Sequence, residues 1–155
     1  MKNALLFLAA FMTIGLLGGC VKNTSCKPKT VQSEEAEMQS YAATIAMTYT
    51  RHSTGLYYQI LSQGSGPAPT FSSICTVRYT GKLLNGTIFD SQTTTPVSFP
   101  LGNVIAGWQA GLSLIQKGGV IRLLIPSSLG YGCQANGSIP ANSILYFDVE
   151  LVDVQ

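Results

Sequence analysis

The chain has 155 residues, of which 10% are charged, and its formal net charge at pH 7 is +2. This length predicts one domain, which is long enough to bury a hydrophobic core even when segment 1–19 is set aside. Because the sequence shows no basic run or stripe, its composition argues against a nucleic-acid partner.

Segment 1–19 has the pattern of a secretory signal peptide: Lys2 precedes an almost unbroken apolar run that ends in small residues and is too short to span a bilayer. Its end, Leu-Gly-Gly followed by Cys20, resembles a bacterial lipobox, in which the cysteine becomes the lipidated first residue. An ordinary signal peptide that contains a cysteine is the alternative. Since two or more acyl chains anchor a protein stably, we expect a lipid-anchored, extracytoplasmic protein of the bacterial cell envelope, at the outer membrane.

Three cysteines remain once Cys20 carries lipid, namely Cys26, Cys75 and Cys133. An odd number in an oxidising compartment permits at most one internal disulfide. Cys75 is expected to face inward as a small buried hydrophobe, although a bond between Cys75 and Cys133 stays open because the sequence gives no distances. No cysteine or histidine spacing indicates a metal site, His52 is the single histidine, and no cofactor is expected.

Residues 20–52 are predicted to form a polar tether followed by a helical extension. The helix is expected over 31–50, because Ser33 precedes acidic residues that suit a helix N-terminus, and Met38, Tyr41 and Ile45 then fall near one face. Three arrangements remain open: the helix packs on the domain, pairs with another chain, or stands as a stalk.

Residues 53–155 have the pattern of short strands around one helix. The predicted strands are 55–61, 75–81, 95–101, 120–125 and 144–154, with a two-residue hairpin turn at 85–86. Ile105, Trp108, Leu112 and Ile115 recur at helical spacing, which predicts a short helix starting near Ile105. One helix against one antiparallel sheet is the simplest packing of these elements, and by pattern alone Trp108 would be an ordinary core residue.

Five motifs occur in order along this domain. They are VRYTG at 77–81, NGTIFDS at 85–91, VIAGW at 104–108, LGYG at 129–132 and IP at 139–140, before a closing FDVEL at 147–151. With these motifs the chain resembles the FKBP family of peptidyl-prolyl cis-trans isomerases, in its bacterial lipoprotein form. The resemblance implies an α+β fold: a twisted antiparallel sheet of five to six strands wrapped over one short helix, here with an N-terminal helical extension.

The resemblance also implies an activity, the acceleration of X-Pro bond rotation in extracytoplasmic folding proteins. Resonance keeps the amide planar behind a barrier of about 18–20 kcal/mol, and the twisted transition state carries less charge separation than the planar form. A dry apolar pocket therefore favours the twisted form without a cofactor. The implied partners are proline-containing polypeptides, with macrolide inhibitors as further ligands.

Residue by residue, the resemblance assigns catalytic roles to Asp90, Tyr131, Trp108 and Phe89. Trp108 would floor the pocket, Asp90 would lie at its rim near the substrate carbonyl and within reach of Tyr79, and Tyr131 would offer its hydroxyl to a carbonyl. The implied substrate-binding residues are Tyr79, Val97, Phe99, Val104, Ile105, Ile139 through its backbone amide, and Phe147. Without that context, Asp90 before Ser91 would be a turn or cap carboxylate.

Two departures from the family pattern affect specificity rather than activity. Val97 stands where the family often has an aromatic residue, which leaves the affinity for bulky macrolides open, and the loop over 132–139 is slightly short. The main alternative function is a membrane-tethered peptide-binding or chaperone module whose isomerase activity is incidental. A serine hydrolase is argued against because no Gly-x-Ser-x-Gly elbow is present.

Overall fold

A computed structural model describes residues 26–155. The predicted signal peptide and the lipidation site Cys20 lie outside the described residues. The elements within them are α1 Val31–Thr44, β1 Thr50–Arg51, β2 Tyr57–Ser62, β3 Ile74–Leu83, β4 Ile88–Pro100, α2 Ala106–Leu112, β5 Gly119–Ile125 and β6 Leu145–Val154, with 3₁₀ turns at Leu101–Asn103 and Ser127–Leu129. Among these residues no helix has the length and apolar character needed to cross a membrane.

The strands form one antiparallel sheet in the order β1-β2-β5-β6-β3-β4. Side chains alternate across it, so that Leu145, Phe147, Val149 and Leu151 of β6 join the main core while Tyr146 faces the other side. The predicted α+β fold, with a sheet of five to six strands over one short helix, is confirmed.

Strand β4 is longer than the predicted strand at 95–101, because it starts directly after the turn at 85–86 and runs on to Pro100. It lies at the edge of the sheet and pairs only with β3. The edge position explains how Pro96, which has no amide hydrogen to donate, fits within a strand.

Helix α2 packs against the face of the sheet that carries the main core. Ile105 is its N-cap, as the apolar spacing predicts, and Trp108 and Leu112 are buried against the strands. The helix ends at Leu112, but Ile115 beyond it is also fully buried. One face of a single short helix therefore supplies much of the main core and, through Trp108, part of the cavity described below.

Helix α1 packs on the opposite face of the sheet, which decides among the three arrangements left open by the sequence. Met38 and Ala42 are buried with Tyr57, Leu124 and Tyr146 in a second, smaller cluster. The face predicted from the sequence is the one that packs: Met38 is fully buried in this cluster, and Tyr41 and Ile45 are partly buried against it.

Both ends of α1 differ from the prediction. Thr30 is the N-cap, and Ser33 is the third helical residue of a capping box in which each side chain accepts from the other's backbone amide. The helix stops at Thr44 rather than near residue 50. There the Met47 amide donates to the Ala42 carbonyl and Ala46 adopts φ +49°, a Schellman ending that unaided sequence periodicity does not indicate.

The disulfide joins Cys26 to Cys133, with a Cα–Cα distance of 5.3 Å. The alternative bond between Cys75 and Cys133 is therefore wrong. Cys75 is free and fully buried in the main core on β3, as its inward-facing position predicts, whereas Cys133 lies in the loop after the second 3₁₀ turn.

Candidate active site

A cavity of about 270 Å³ opens between α2 and the β3–β4 half of the sheet. Its lining residues are Tyr79, Phe89, Asp90, Val97, Phe99, Asn103, Val104, Ile105, Trp108, Tyr131 and Phe147. All but Asn103 belong to the set that the sequence resemblance assigned to the site, and they come from five separate segments of the chain. The volume lies just below the roughly 300–1,000 Å³ of typical small-molecule pockets, which suits a single side chain and its neighbouring peptide.

The Trp108 indole is held in place by other aromatic rings. Tyr79 and Phe147 meet it edge-on, each with ring centroids 5.1 Å away, and Phe99 lies tilted at 5.4 Å. Edge-to-face and tilted contacts at this range fix the orientation of a ring as well as burying it. The indole is 5% exposed, and its Nε1 has no hydrogen-bond partner within residues 26–155. The packing therefore presents a rigid apolar surface to the cavity.

Register and one glycine place the two phenylalanines of the wall. Gly81 on β3 lies opposite Asp90 on β4 and Phe147 on β6. A Cβ atom at Gly81 would come within 2.7 Å of both the Phe89 and Phe147 rings, which meet edge-on with centroids 5.5 Å apart. The missing side chain is therefore what lets these two rings meet beside the cavity.

At the rim, the Tyr79 hydroxyl donates a 2.5 Å hydrogen bond to Oδ2 of Asp90. Burial, and then the hydrogen bond to the Asp90 carboxylate, raise the pKa of Tyr79 above its ordinary value of 10.0. Tyr79 therefore stays a neutral donor at physiological pH. The bond holds the exposed Asp90 carboxylate at the cavity edge, within reach of Tyr79 as expected.

Tyr131 reaches the cavity from the loop that follows the 3₁₀ turn Ser127–Leu129. Its side chain is 39% exposed, and its hydroxyl makes no hydrogen bond within the described part of the chain. A half-exposed phenol at a cavity mouth is placed to meet a polar group of a bound chain.

Ile139 does not line the cavity. It is 6% exposed, and its amide already donates to the Asn136 carbonyl at 2.9 Å, in a small two-residue bridge. The expected donation from this amide to a bound peptide would require that bridge to open.

A different backbone amide is available at the cavity. Ile105 precedes α2, where a helix leaves its first amides without acceptors, and no described residue accepts from its N–H. Its carbonyl is occupied, because it accepts from the amides of Trp108 and Gln109. Sequence reasoning placed Ile105 in the wall but missed its amide, although the position directly before a predicted helix was the available signal.

Asn103 is the lining residue that sequence reasoning missed. It ends the 3₁₀ turn Leu101–Asn103, a conformation that no periodicity in the sequence indicates. The Gln109 side chain fixes this turn by donating to the carbonyls of Gly102 at 3.2 Å and Val104 at 2.8 Å. The entry to α2 is therefore rigid on the side that faces the cavity.

An antiparallel sheet wrapped over one short helix, with an aromatic cavity floored by tryptophan between them, defines the class of isomerases that the sequence motifs indicate. The family model described as FKBP-type peptidyl-prolyl cis-trans isomerase matches residues 66–152, more than half of the chain. The chain belongs to this family.

The particular relatives include FkpA of Escherichia coli strain K12, 50% identical over 105 residues that make up 66% of this chain and 39% of that protein. A probable FKBP-type isomerase of Haemophilus influenzae is 50% identical over 104 residues, 65% of this chain and 43% of that protein. The chain thus spans about two fifths of the length of these curated relatives.

Solved structures show the same likeness. The crystal structure of Escherichia coli FkpA superposes with a TM-score of 0.72 at 43% identity, covering 81% of this chain and 61% of that one. A peptidyl-prolyl isomerase of Pseudomonas syringae pv. tomato gives a TM-score of 0.69 at 30% identity, covering 83% of this chain and 98% of that one.

Proposed function

We propose that this protein is a peptidyl-prolyl cis-trans isomerase that acts on proline-containing polypeptides. The observation that carries the proposal is the aromatic cavity itself, in which Trp108 is fixed by three neighbouring rings beside Asp90 and the Ile105 amide. Rotation about an amide breaks no bond, so the reaction needs a shaped, poorly solvated site rather than a nucleophile.

The apolar lining supplies the main catalytic effect. The planar amide carries more charge separation than the twisted one, so transfer into an apolar cavity penalises the planar form more. In our assignment, the proline ring lies on Trp108, and Phe89 and Phe147 exclude water from its side. A ten-thousandfold acceleration corresponds to about 5.4 kcal/mol, which a few such contacts can supply.

The rim groups add to this effect by acting on the carbonyls of the bound chain. The Ile105 amide and the Tyr131 hydroxyl are donors for substrate carbonyls, and they fix the peptide while the bond rotates. The Asp90 carboxylate repels the partial negative charge on the oxygen of a planar amide. This charge falls as resonance is lost, so the repulsion disfavours the planar form more than the twisted one. Tyr79 keeps that carboxylate in place.

A protease-coupled assay with a short X-Pro peptide tests the proposal. We expect the wild-type protein to accelerate the slow cis phase, and Asp90→Ala and Trp108→Leu to lower kcat/KM by about tenfold or more, as loss of transition-state contacts does. Leu61→Ala, an exposed apolar substitution on β2, is the matched control and should leave kcat/KM unchanged.

The alternative, a membrane-tethered peptide-binding or chaperone module, gives a different result in the same samples. Trp108, the single tryptophan, reports peptide binding by its fluorescence. Peptide binding without any acceleration by the wild-type protein would contradict the proposed activity and favour the binding module.

Macrolide binding is proposed for the same cavity, with Val97 as the residue that limits it. Val97 lines the wall and contributes less contact area than an aromatic ring would. We expect Val97→Phe to tighten macrolide binding by about threefold to tenfold, since an aromatic contact contributes roughly 0.5–1.5 kcal/mol. Titration followed by Trp108 fluorescence measures the change, and equal affinity of the two proteins would show that Val97 is not the limiting wall.

We also propose that the protein works outside the cytoplasm, anchored at the outer membrane through lipid on Cys20. The disulfide between Cys26 and Cys133 supports an oxidising compartment. Five residues lie between Cys20 and Cys26, so a lipid on Cys20 would keep Cys133 within roughly 20–30 Å of the membrane surface. Mass spectrometry of the mature N-terminus tests the anchor, and an unmodified Cys20 would contradict it.

A further inference from the structure

The segment from Cys26 to Glu34, which we call the N-terminal strap, contacts the loop over residues 126–142, which we call the rim loop. The rim loop carries Tyr131 to the mouth of the cavity. Three separate contacts join the two segments, although they are about a hundred residues apart in the sequence. Each contact leads either to Cys133, two residues after Tyr131, or to a residue that is hydrogen-bonded to a neighbour of Tyr131.

The first contact is a buried carboxylate. Glu34 and Ser127 are both fully buried, and the Ser127 amide donates to Oε2 of Glu34 at 2.8 Å. The Ser127 carbonyl in turn accepts from the amides of Gly130 at 3.0 Å and Gly132 at 2.8 Å. Since Gly130 and Gly132 flank Tyr131, Glu34 holds, through its amide, the residue whose carbonyl accepts from both neighbours of Tyr131.

The second contact is made by Asn142 at the far end of the rim loop. Its side chain accepts from the Lys29 amide at 3.2 Å and donates to the Lys27 carbonyl at 3.1 Å. Its own amide donates to the Gly132 carbonyl at 2.8 Å. The strap therefore holds Gly132 from a second direction.

The third contact is covalent. The disulfide joins Cys26 at the start of the strap to Cys133, two residues after Tyr131. With the two hydrogen-bonded contacts, it limits the movement of the rim loop on both sides of the Tyr131 backbone.

Glutamate is an unusual residue at a buried position that serves only to pack a helix against the sheet. A buried carboxylate is costly unless it is paired, and among residues 26–155 the other oxygen of Glu34 has no hydrogen-bond partner and only the Lys29 Nζ, 4.0 Å away, as a countercharge. Met38, one turn later on α1, fills an equivalent buried position with an apolar side chain. A carboxylate here does something that methionine cannot, which is to orient the Ser127 amide.

We propose that the N-terminal strap positions Tyr131 for substrate, with Glu34 and the Cys26–Cys133 disulfide as its positioning residues. The inference rests on the proposed isomerase function. If the strap acts in this way, kcat/KM depends on residues that contact neither the substrate nor the cavity wall.

A double-mutant cycle with Tyr131→Ala tests whether the strap acts through Tyr131. We expect Glu34→Met, which removes the acceptor for the Ser127 amide, and separately the Cys26→Ser/Cys133→Ser pair, to lower kcat/KM by roughly threefold to tenfold, the range typical of residues coupled to a site at a distance. In a Tyr131→Ala background the same substitutions should change kcat/KM by less than about twofold. Equal losses in both backgrounds would overturn the inference, and Glu37→Met, at an exposed carboxylate on the same helix, is the matched control.

Reduction of the wild-type protein provides a reversible version of the disulfide substitution. A dithiol such as dithiothreitol gives two electrons and two protons to the Cys26–Cys133 bond, which yields two cysteine thiols and the cyclic oxidised reductant. We expect kcat/KM to fall as it does in the double-serine variant, which itself should not respond. A reduced wild-type protein with unchanged kcat/KM would overturn the role of the disulfide.

Hydrogen exchange separates this inference from the proposed function, because it needs no turnover. We expect the amides of Gly130 and Gly132 to exchange about tenfold faster or more in Glu34→Met, since their protection follows the local opening of the rim loop. Unchanged exchange would overturn the strap even in an active enzyme. Faster exchange in the variant, together with a wild-type protein that shows no isomerase activity, would support the strap and contradict only the proposed function.

Discussion

At the scale of single residues, the site depends on a neutral tyrosine and a carboxylate that fix each other's position through a hydrogen bond. The Tyr79 hydroxyl donates a hydrogen bond to Asp90, and the Tyr79 ring lies edge-on to Trp108. One side chain therefore orients both the rim carboxylate and the indole at the floor of the cavity. On the other side of the sheet, Tyr146 donates to Asp148 at 2.7 Å. Burial followed by the hydrogen bond to a carboxylate raises the pKa of both phenols.

These raised pKa values predict how stability changes in alkali. Above pH 10, tyrosines of the unfolded chain lose their protons while Tyr79 and Tyr146 of the folded chain keep theirs. The folded state then binds more protons than the unfolded state, so the free energy of unfolding falls as the pH rises further. Urea denaturation at several pH values above 9 should show that the free energy of unfolding falls less steeply with pH for Tyr79→Phe than for the wild type. Parallel dependences on pH would contradict the assignment.

At the scale of elements, α2 approaches the sheet closely because two glycines face it. A Cβ atom at Gly107 would overlap Cγ2 of Ile125, and one at Gly111 would lie 2.5 Å from Cδ2 of Leu123. Both glycines are buried, and each directly precedes a buried side chain of the helix, Trp108 or Leu112. The difference lies in the opposing side chain, since Cγ2 of isoleucine is fixed next to the strand backbone while Cδ2 of leucine can move.

We therefore predict that two glycine-to-alanine substitutions in α2 lower the free energy of unfolding by different amounts. Gly107→Ala should lower the free energy of unfolding by about 1–3 kcal/mol, because overpacking outweighs the gain in helix propensity. Gly111→Ala should change it by less than about 1 kcal/mol, because Leu123 can adjust. Urea denaturation of the two variants provides the comparison, and a larger cost at Gly111 would contradict it. A loss of kcat/KM in Gly107→Ala alone would further link this contact to the neighbouring Trp108.

At the scale of the whole molecule, the sheet is buried on both sides by different parts of the chain. The main core lies under α2, and the smaller cluster under α1 contains Met38, Tyr57, Leu124 and Tyr146. The disulfide connects residues 107 positions apart, so it encloses most of the described chain, although β6 lies outside the closed loop. It therefore restricts the unfolded chain as well as the rim loop.

This long loop predicts a measurable contribution to global stability. Reduction of the disulfide should lower the free energy of unfolding by about 2–5 kcal/mol. Urea denaturation with and without dithiothreitol measures the difference, and Cys26→Ser/Cys133→Ser is the control that should not respond to the reductant. Burial raises the pKa of the Cys75 thiol, so Cys75 should take no part in exchange. An unchanged midpoint in the wild type would contradict the prediction.

Much of the fold follows from local patterns in the sequence, whereas the site residues were implied by the family resemblance. Alternation predicted β6, helical spacing predicted the start of α2 at Ile105, and the resemblance carried by the ordered motifs implied all the cavity-lining residues but Asn103. These features are predictable because each depends on neighbours a few positions away, and because the sheet register then brings the motifs together.

The tertiary structure alone decided the features that depend on distant parts of the chain. The partner of Cys133, the burial of Glu34 against Ser127 and the packing of α1 join segments roughly a hundred residues apart. The ending of α1 at Thr44 and the placement of Ile139 outside the cavity arise from backbone hydrogen bonds in loops. Periodicity carries no information about such contacts, because they are set by which surfaces meet once the sheet has formed.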